Sequence, residues 1–188
     1  LGDSITQAWS GAGKKAWSEH FEPVKAANFG IGGDQTGHVL WRITEGKELN
    51  GITPKVAVLM IGTNNISSFK PDQIADGVKA IVKELRQQKP EMKILLLGVF
   101  PRSGKRIAPE AKEAKADELQ PAVGKINSVI SKLDDGKMVV YRDIGKRFLN
   151  NDGDLPKDIM YDYLHLTPKG YDIWADAIKD EVKTLLGK

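Results

Sequence analysis

Continuous apolar runs alternate along the chain with stretches whose apolar residues return every three or four positions. The run over 56–61 and the run over 94–100 are each unbroken. Runs of that length suit strands buried on both faces, as in a parallel sheet. Shorter runs over 24–29 and 138–141 read as further strands. Between them the period changes. Residues 14–21 read as a short helix, with Trp9, Trp17 and Phe21 as core anchors. Val39, Leu40 and Ile43 follow at helical spacing, with Gly46 as a stop. A helix opening at Pro71 carries Ile74, Val78, Ile81 and Leu85 on one stripe and closes at Lys89-Pro90. Residues 102–119 read as a polar, lysine-rich loop running into a helix with Leu119, Val123, Ile126, Ile130 and Leu133 on its apolar face, which Pro121 must start or kink. Residues 148–158 form a turn-rich loop. Thr167-Pro168 then caps a last helix bearing Trp174, Ile178, Val182 and Leu185. This alternation predicts an α/β fold of three layers, helix, parallel sheet and helix, in one domain over residues 1–188, without repeat or linker.

Ligands of open parallel sheets bind beyond the carboxyl ends of the strands. The polar candidates gather there. Ser4 follows Gly2-Asp3; Gly30-Ile31-Gly32-Gly33-Asp34 ends one short run; Gly62-Thr63-Asn64-Asn65 ends another; Asp162 and His165 stand near the final helix. A strand is expected to lead into Ser4, yet only Leu1 and Gly2 precede it, so the first strand reads as truncated, with any leader peptide upstream. A serine hydroxyl is a weak nucleophile and needs a base. His165 is the candidate base. Asp162, three positions earlier, would share a face with it on one helical turn and fix its tautomer; Asp158 is the rival acid. The oxyanion donors would be the backbone N–H groups of Ser4 and Gly33 and the side-chain amide of Asn64, each worth on the order of 3 kcal/mol of barrier. Glycine at 33 would leave room for the acyl group. Each stretch also has an ordinary reading: serines and asparagines are common in turns, and Asp162 with His165 makes a plain solvated pair.

Composition narrows the alternatives. The chain holds 28 basic and 25 acidic residues, too even a balance, and too evenly spread, for a nucleic-acid partner. No apolar run approaches the ~18 residues of a membrane span. The absence of cysteine excludes disulfides, thiolate catalysis and Cys-ligated zinc, and leaves the compartment open. His20 and His38 lack the carboxylates of a metal site. The glycine run lacks the dinucleotide spacing, and no Gly-Lys-Ser or Gly-Lys-Thr of a phosphate loop occurs. Lys105, Lys112 and Lys115 read as a solvated face.

Four blocks in order, Gly2-Asp3-Ser4, Asn28-Phe29-Gly30-Ile31-Gly32-Gly33, Gly62-Thr63-Asn64-Asn65 and Asp162-Tyr163-Leu164-His165, resemble those of the SGNH (GDSL-type) hydrolases across essentially the whole chain. Gly30 to Asp34, Val39-Leu40-Trp41-Arg42 and Leu164-His165-Leu166-Thr167 are similar in detail to the catalytic subunits of intracellular platelet-activating factor acetylhydrolase. The resemblance implies a flavodoxin-like five-stranded parallel sheet, a Ser4-Asp162-His165 triad, a Ser4-Gly33-Asn64 oxyanion hole and no metal or organic cofactor. It implies a small-molecule ester as substrate and, by analogy, a homodimer. Bulky Ile5 and Leu164 beside the site favour a short acyl group. The expected activity is therefore a short-chain, acetyl-releasing serine esterase. Its alcohol is a sugar, as in a carbohydrate O-acetylesterase, or a lipid-like alcohol. A non-catalytic binding domain on the same fold is the reading from another class.

Overall fold

A computed structural model describes residues 1–103, 113–115 and 120–188. The chain order is α1 (Ser4–Gln7), α2 (Lys14–His20), α3 (Thr36–Ile43), β1 (Val56–Leu59), α4 (Pro71–Gln88), β2 (Lys93–Leu97), β3 (Glu113–Lys115), α5 (Gln120–Ile130), β4 (Val139–Arg142), β5 (Asp154–Pro156) and α6 (Pro168–Leu186). The expected polar loop over 102–119, with Leu119, Lys105 and Lys112, falls largely outside the described residues.

The main sheet is parallel, in the order β1-β2-β4. Val56 pairs with Lys93, and Ile94 with Val139. Beyond β1 the sheet continues through Gly2, which bridges in parallel to Met60 on one side and to Gly30 on the other. Five chain segments therefore lie side by side, three of them as continuous strands. The strand expected over 24–29 does not form. Glu22–Val24 is a tight 3-10 turn ended by Lys25 at φ 58°, and pairing begins only at Gly30. An apolar run becomes a strand where a neighbour takes up its backbone, which these residues lack. They flank an apolar groove of about 630 Å³ beside β1, lined among others by Trp17, Val24, Val56 and Val58 and by none of the five site candidates.

Both faces of the sheet are buried. Along β2, Ile94 and Leu96 enter one core with α3, α4 and α5, while Leu95 and Leu97 enter the other with α1, α2 and α6. Each such side chain contributes roughly 1.5–3 kcal/mol on burial. The result is the three-layer arrangement that the alternation of periods predicts. Trp9, just after α1, is the hub of the second core. Its ring lies 4.6 Å from that of Tyr171 and 4.8 Å from that of Trp174, both on α6. The Tyr171 hydroxyl donates to the Ile5 carbonyl. These contacts fasten α1 to α6, and so bring Ser4 near the turn that precedes α6.

The helix ends follow their capping chemistry. Thr167 Oγ1 accepts from the Gly170 N–H at 3.2 Å, with Pro168 as the first residue of α6. Pro121 sits in the first turn of α5 rather than kinking it. The turn-rich loop holds one element that its composition did not announce: β5 pairs antiparallel with β3. Strands of three residues are too short to display a period. Among the described residues no helix is long and apolar enough to cross a membrane.

Candidate active site

Ser4 opens α1 at the point where the chain leaves the sheet at Gly2. Asp3 caps this helix, its Oδ1 accepting from the Ile5 N–H at 2.9 Å. The Ser4 hydroxyl lies 2.9 Å from Nε2 of His165, 161 positions away in sequence. The other ring nitrogen, Nδ1, lies 2.7 Å from Oδ2 of Asp162. Burial pushes the Asp162 carboxyl up, but hydrogen bonds from the His165 ring and from the backbone of His165 and Leu164 outweigh it and hold the group below the usual carboxylate range. An anionic Asp162 requires a donor at Nδ1. The ring proton therefore sits on Nδ1, and Nε2 is free to accept from Ser4.

Asp162 and His165 do not share a helical turn. They lie on an irregular turn with Tyr163 at φ 62°, and Asp162 Oδ1 accepts from the N–H groups of Leu164 and His165 at 3.1 and 2.6 Å. The carboxylate organises its own turn, as short polar side chains do. Asp158, the rival acid, pairs with Lys169 at 2.6 Å instead. Tyr161 stacks on the His165 ring at 6.0 Å between centroids and 20° between planes. An aromatic residue beside the Asp162 block was the only sign of it in the sequence.

The glycine loop packs against the start of α1. A Cβ on Gly30 would come within 2.1 Å of the Gln7 nitrogen, so the two backbones touch. The Gly32 N–H donates to Gln7 Oε1 at 2.9 Å. Gly33 stands at φ 81°, yet a Cβ there would meet nothing within 4 Å. Its backbone conformation by itself asks for glycine at 33, and no protein atom occupies the space beside it. The Asn64 side-chain amide donates to the Asp34 carbonyl at 2.9 Å, leaving its second hydrogen for a ligand. Gln35 Nε2 returns a bond to the Asn64 carbonyl at 3.1 Å, and Asn65 Oδ1 accepts from the Thr36 N–H at 3.0 Å. Among the described residues no hydrogen bond takes up the backbone N–H of Ser4 or of Gly33.

Two expectations about the pocket walls fare differently. Leu164 is half-buried beside His165. Ile5 is 1% exposed and belongs to the core with Trp9, so it offers a ligand no surface. It follows Ser4 on a helix, and the next position on a helix turns about 100° away from its neighbour. Sequence reasoning missed the roles of Asp3, Gln35, Arg42 and Asn65, whose side chains bind backbone in or beside the site, and of Asp34, whose carboxylate binds Arg42. His38 accepts from the Gln35 N–H and caps α3. Among the described residues no cluster of three or more His, Cys, Asp or Glu is placed to hold a metal.

The model of the GDSL-like lipase/acylhydrolase family matches residues 1–173. The chain belongs to that family. It is similar to the platelet-activating factor acetylhydrolase IB subunit alpha2 of Rattus norvegicus, with 39% identity over 171 residues, 91% of this chain and 69% of the relative. A GDSL-like lipase from Bacteroides thetaiotaomicron has the same fold, with a TM-score of 0.73 at 20% identity over 97% of this chain and 85% of that one. So does a family 3 carbohydrate esterase of Clostridium thermocellum, with a TM-score of 0.68 at 18% identity over 100% and 95%. Membership makes this GDSL hydrolase an enzyme acting on carboxylic ester bonds.

Proposed function

We propose that this chain removes short acyl groups, acetyl above all, through a covalent Ser4 intermediate. The observation that carries the covalent Ser4 step is the unbroken relay from the Ser4 hydroxyl through both nitrogens of His165 to Asp162, at 2.9 and 2.7 Å. Half-buried Leu164 beside His165 and the acetylhydrolase names of the relatives support the short acyl group. As Ser4 Oγ attacks the acyl carbon, its proton passes to Nε2, and the charge forming on the carbonyl oxygen meets the N–H groups of Ser4, Gly33 and Asn64. Nε2 then returns the proton to the departing alcohol, leaving acyl-Ser4. Water, deprotonated by the same nitrogen, attacks in turn and releases the acid and the free serine.

For the alcohol, a lipid-like group ranks ahead of a sugar. The relatives of up to 39% identity are named as platelet-activating factor acetylhydrolase subunits, whereas the carbohydrate esterase shares the fold at 18%. Three exposed apolar side chains, Ile31, Phe69 and Tyr161, also stand in or next to the segments bearing Gly33, Asn64 and His165. Such side chains suit an apolar alcohol better than a hydroxylated one.

A p-nitrophenyl ester series tests the reading. Turnover is expected to fall from acetyl to octanoyl, and Ser4→Ala to remove about 10⁶ of kcat, as loss of a serine nucleophile does elsewhere. Equal rates on acetyl and octanoyl esters would sink the short-acyl preference. Failure of a fluorophosphonate to label Ser4 would favour a binding domain without catalysis.

A further inference from the structure

Arg42 is a charged side chain with no part in that reaction, and it is only 8% exposed. Lifting a guanidinium out of water costs several kcal/mol unless good partners replace the solvent. Here the partners are the two ends of the glycine loop. Nη2 donates to the Phe29 carbonyl at 2.7 Å, and Nη1 donates to Oδ2 of Asp34. Glu48 holds the fork from the far side, accepting from Nε at 3.1 Å and from Nη2 at 3.0 Å. The loop that carries Gly33 is thus gripped at its first and last residues by one rigid plane.

The grip reaches the site through Asp34. The carboxylate of Asp34 is bound by Arg42, and its carbonyl is the acceptor for the Asn64 amide. Gly33, at φ 81°, is its immediate neighbour. Two of the three proposed oxyanion donors therefore take their positions from a residue that Arg42 fixes. A planar five-donor fork is suited to such a task because it specifies direction as well as charge.

We infer that Arg42 is a positioning residue for the oxyanion hole, setting the Gly33 N–H and the Asn64 amide through Asp34. This rests on the esterase reading above. Arg42→Lys keeps the charge but cannot bind Phe29, Asp34 and Glu48 at once. Its kcat should fall about 10- to 100-fold with KM nearly unchanged, the size expected when donors are displaced by up to about 1 Å. Added to Asn64→Ala, the same change should cost kcat clearly less than it does alone, because the share that runs through Asn64 is already lost and only the Gly33 share remains. Asp34→Asn, which weakens the same link while keeping its shape, should give the same kcat loss and the same shortfall beside Asn64→Ala, and it carries the test where Arg42→Lys fails to fold. A folded Arg42→Lys protein with wild-type kcat and only a lower melting temperature would overturn the inference, as would fully additive losses with Asn64→Ala. If Ser4→Ala keeps its activity the esterase reading itself has failed; if Ser4→Ala is dead and Arg42→Lys is not impaired, only the role of Arg42 falls.

Discussion

Ser4 is served by two flanks that are held in opposite ways. On the base side, most bonds that shape the turn around His165 are local, and the Ser103 N–H donating to the Tyr163 carbonyl at 3.0 Å is a long-range tie. Asp162 binds the ring and the backbone three positions on, and the Tyr161 N–H donates to the His165 carbonyl at 3.1 Å. On the donor side the bonds are long-range. The glycine loop is tied to α1 through Gln7 and Asn28, to the loop after β1 through Asn64, and to α3 through Arg42. A turn whose base is oriented by one carboxylate depends heavily on that one group. A loop braced from three elements spreads the loss of any single brace. Large effects should therefore come from single changes on the base flank, and graded ones from the donor flank.

The sharpest break is Asp162→Asn. The amide can still accept from the backbone N–H groups, so the turn survives. It no longer offers an anion to Nδ1, and the ring loses the tautomer that leaves Nε2 free. A loss of about 10⁴ in kcat is expected, as for the equivalent change in other serine hydrolases. Steady-state kinetics on p-nitrophenyl acetate, beside an unchanged circular dichroism spectrum, checks it. A loss below tenfold would mean that the local turn, and not the charge of Asp162, orients the ring.

Asn64→Ala probes the other flank. One oxyanion donor is worth about 10²–10³ in kcat, with little change in KM. The Asp34 carbonyl also loses its donor, at about 1 kcal/mol of stability. The loop should nonetheless keep its place, since Arg42 still holds Asp34 and Thr36 still binds Asn65. If the change unfolded the protein, the donor flank would be as brittle as the base flank.

This contrast also explains what could be read before the fold was known. Ser4, Gly33, Asn64 and His165 stand in short blocks whose residue types announce their chemistry, and each block lies at the end of an element. The buried strands were legible because an unbroken apolar run has few other uses, as with Ile94 to Leu97. Asp162 was legible as a partner of His165 but not as the organiser of a non-helical turn, since spacing of three fits both. The braces were not legible. Asp34 and Arg42 are eight positions apart and join a loop to a helix, so no periodicity connects them. The burial of Ile5 depends on how α1 sits on α6, which is a tertiary fact. The segment over 24–29 has the composition of a strand, but strand formation needs a pairing partner as well.

Asp3 is the carboxyl that feels both flanks, and it offers the finest test. It is completely buried, and only Oδ1 finds a partner; Oδ2 has none among the described residues. Burial, first of all, pushes its pKa up to about 6, against the Ile5 hydrogen bond; the His165 side pulls it down and the Asp34 side pushes it up. The native chain then holds a proton on Asp3 where the unfolded chain, at 3.8, has released it. The unfolded state binds fewer protons in that window, so stability falls as pH rises. The contribution is fully present below pH ~4 and is lost as pH passes ~6, roughly 3 kcal/mol in all at about 1.4 kcal/mol per unit. Asp3→Asn keeps a good cap and removes the titration. Urea unfolding at four pH values between 4 and 7 should show the wild type losing roughly 2 kcal/mol relative to the variant across that range. A constant difference would mean that Asp3 is already ionised at the low end, with an unseen partner at Oδ2. The same variant tells the flanks apart. If kcat changes along with the titration, the charge on Asp3 reaches His165; if only stability changes, the nucleophile's cap is electrically separate from its base.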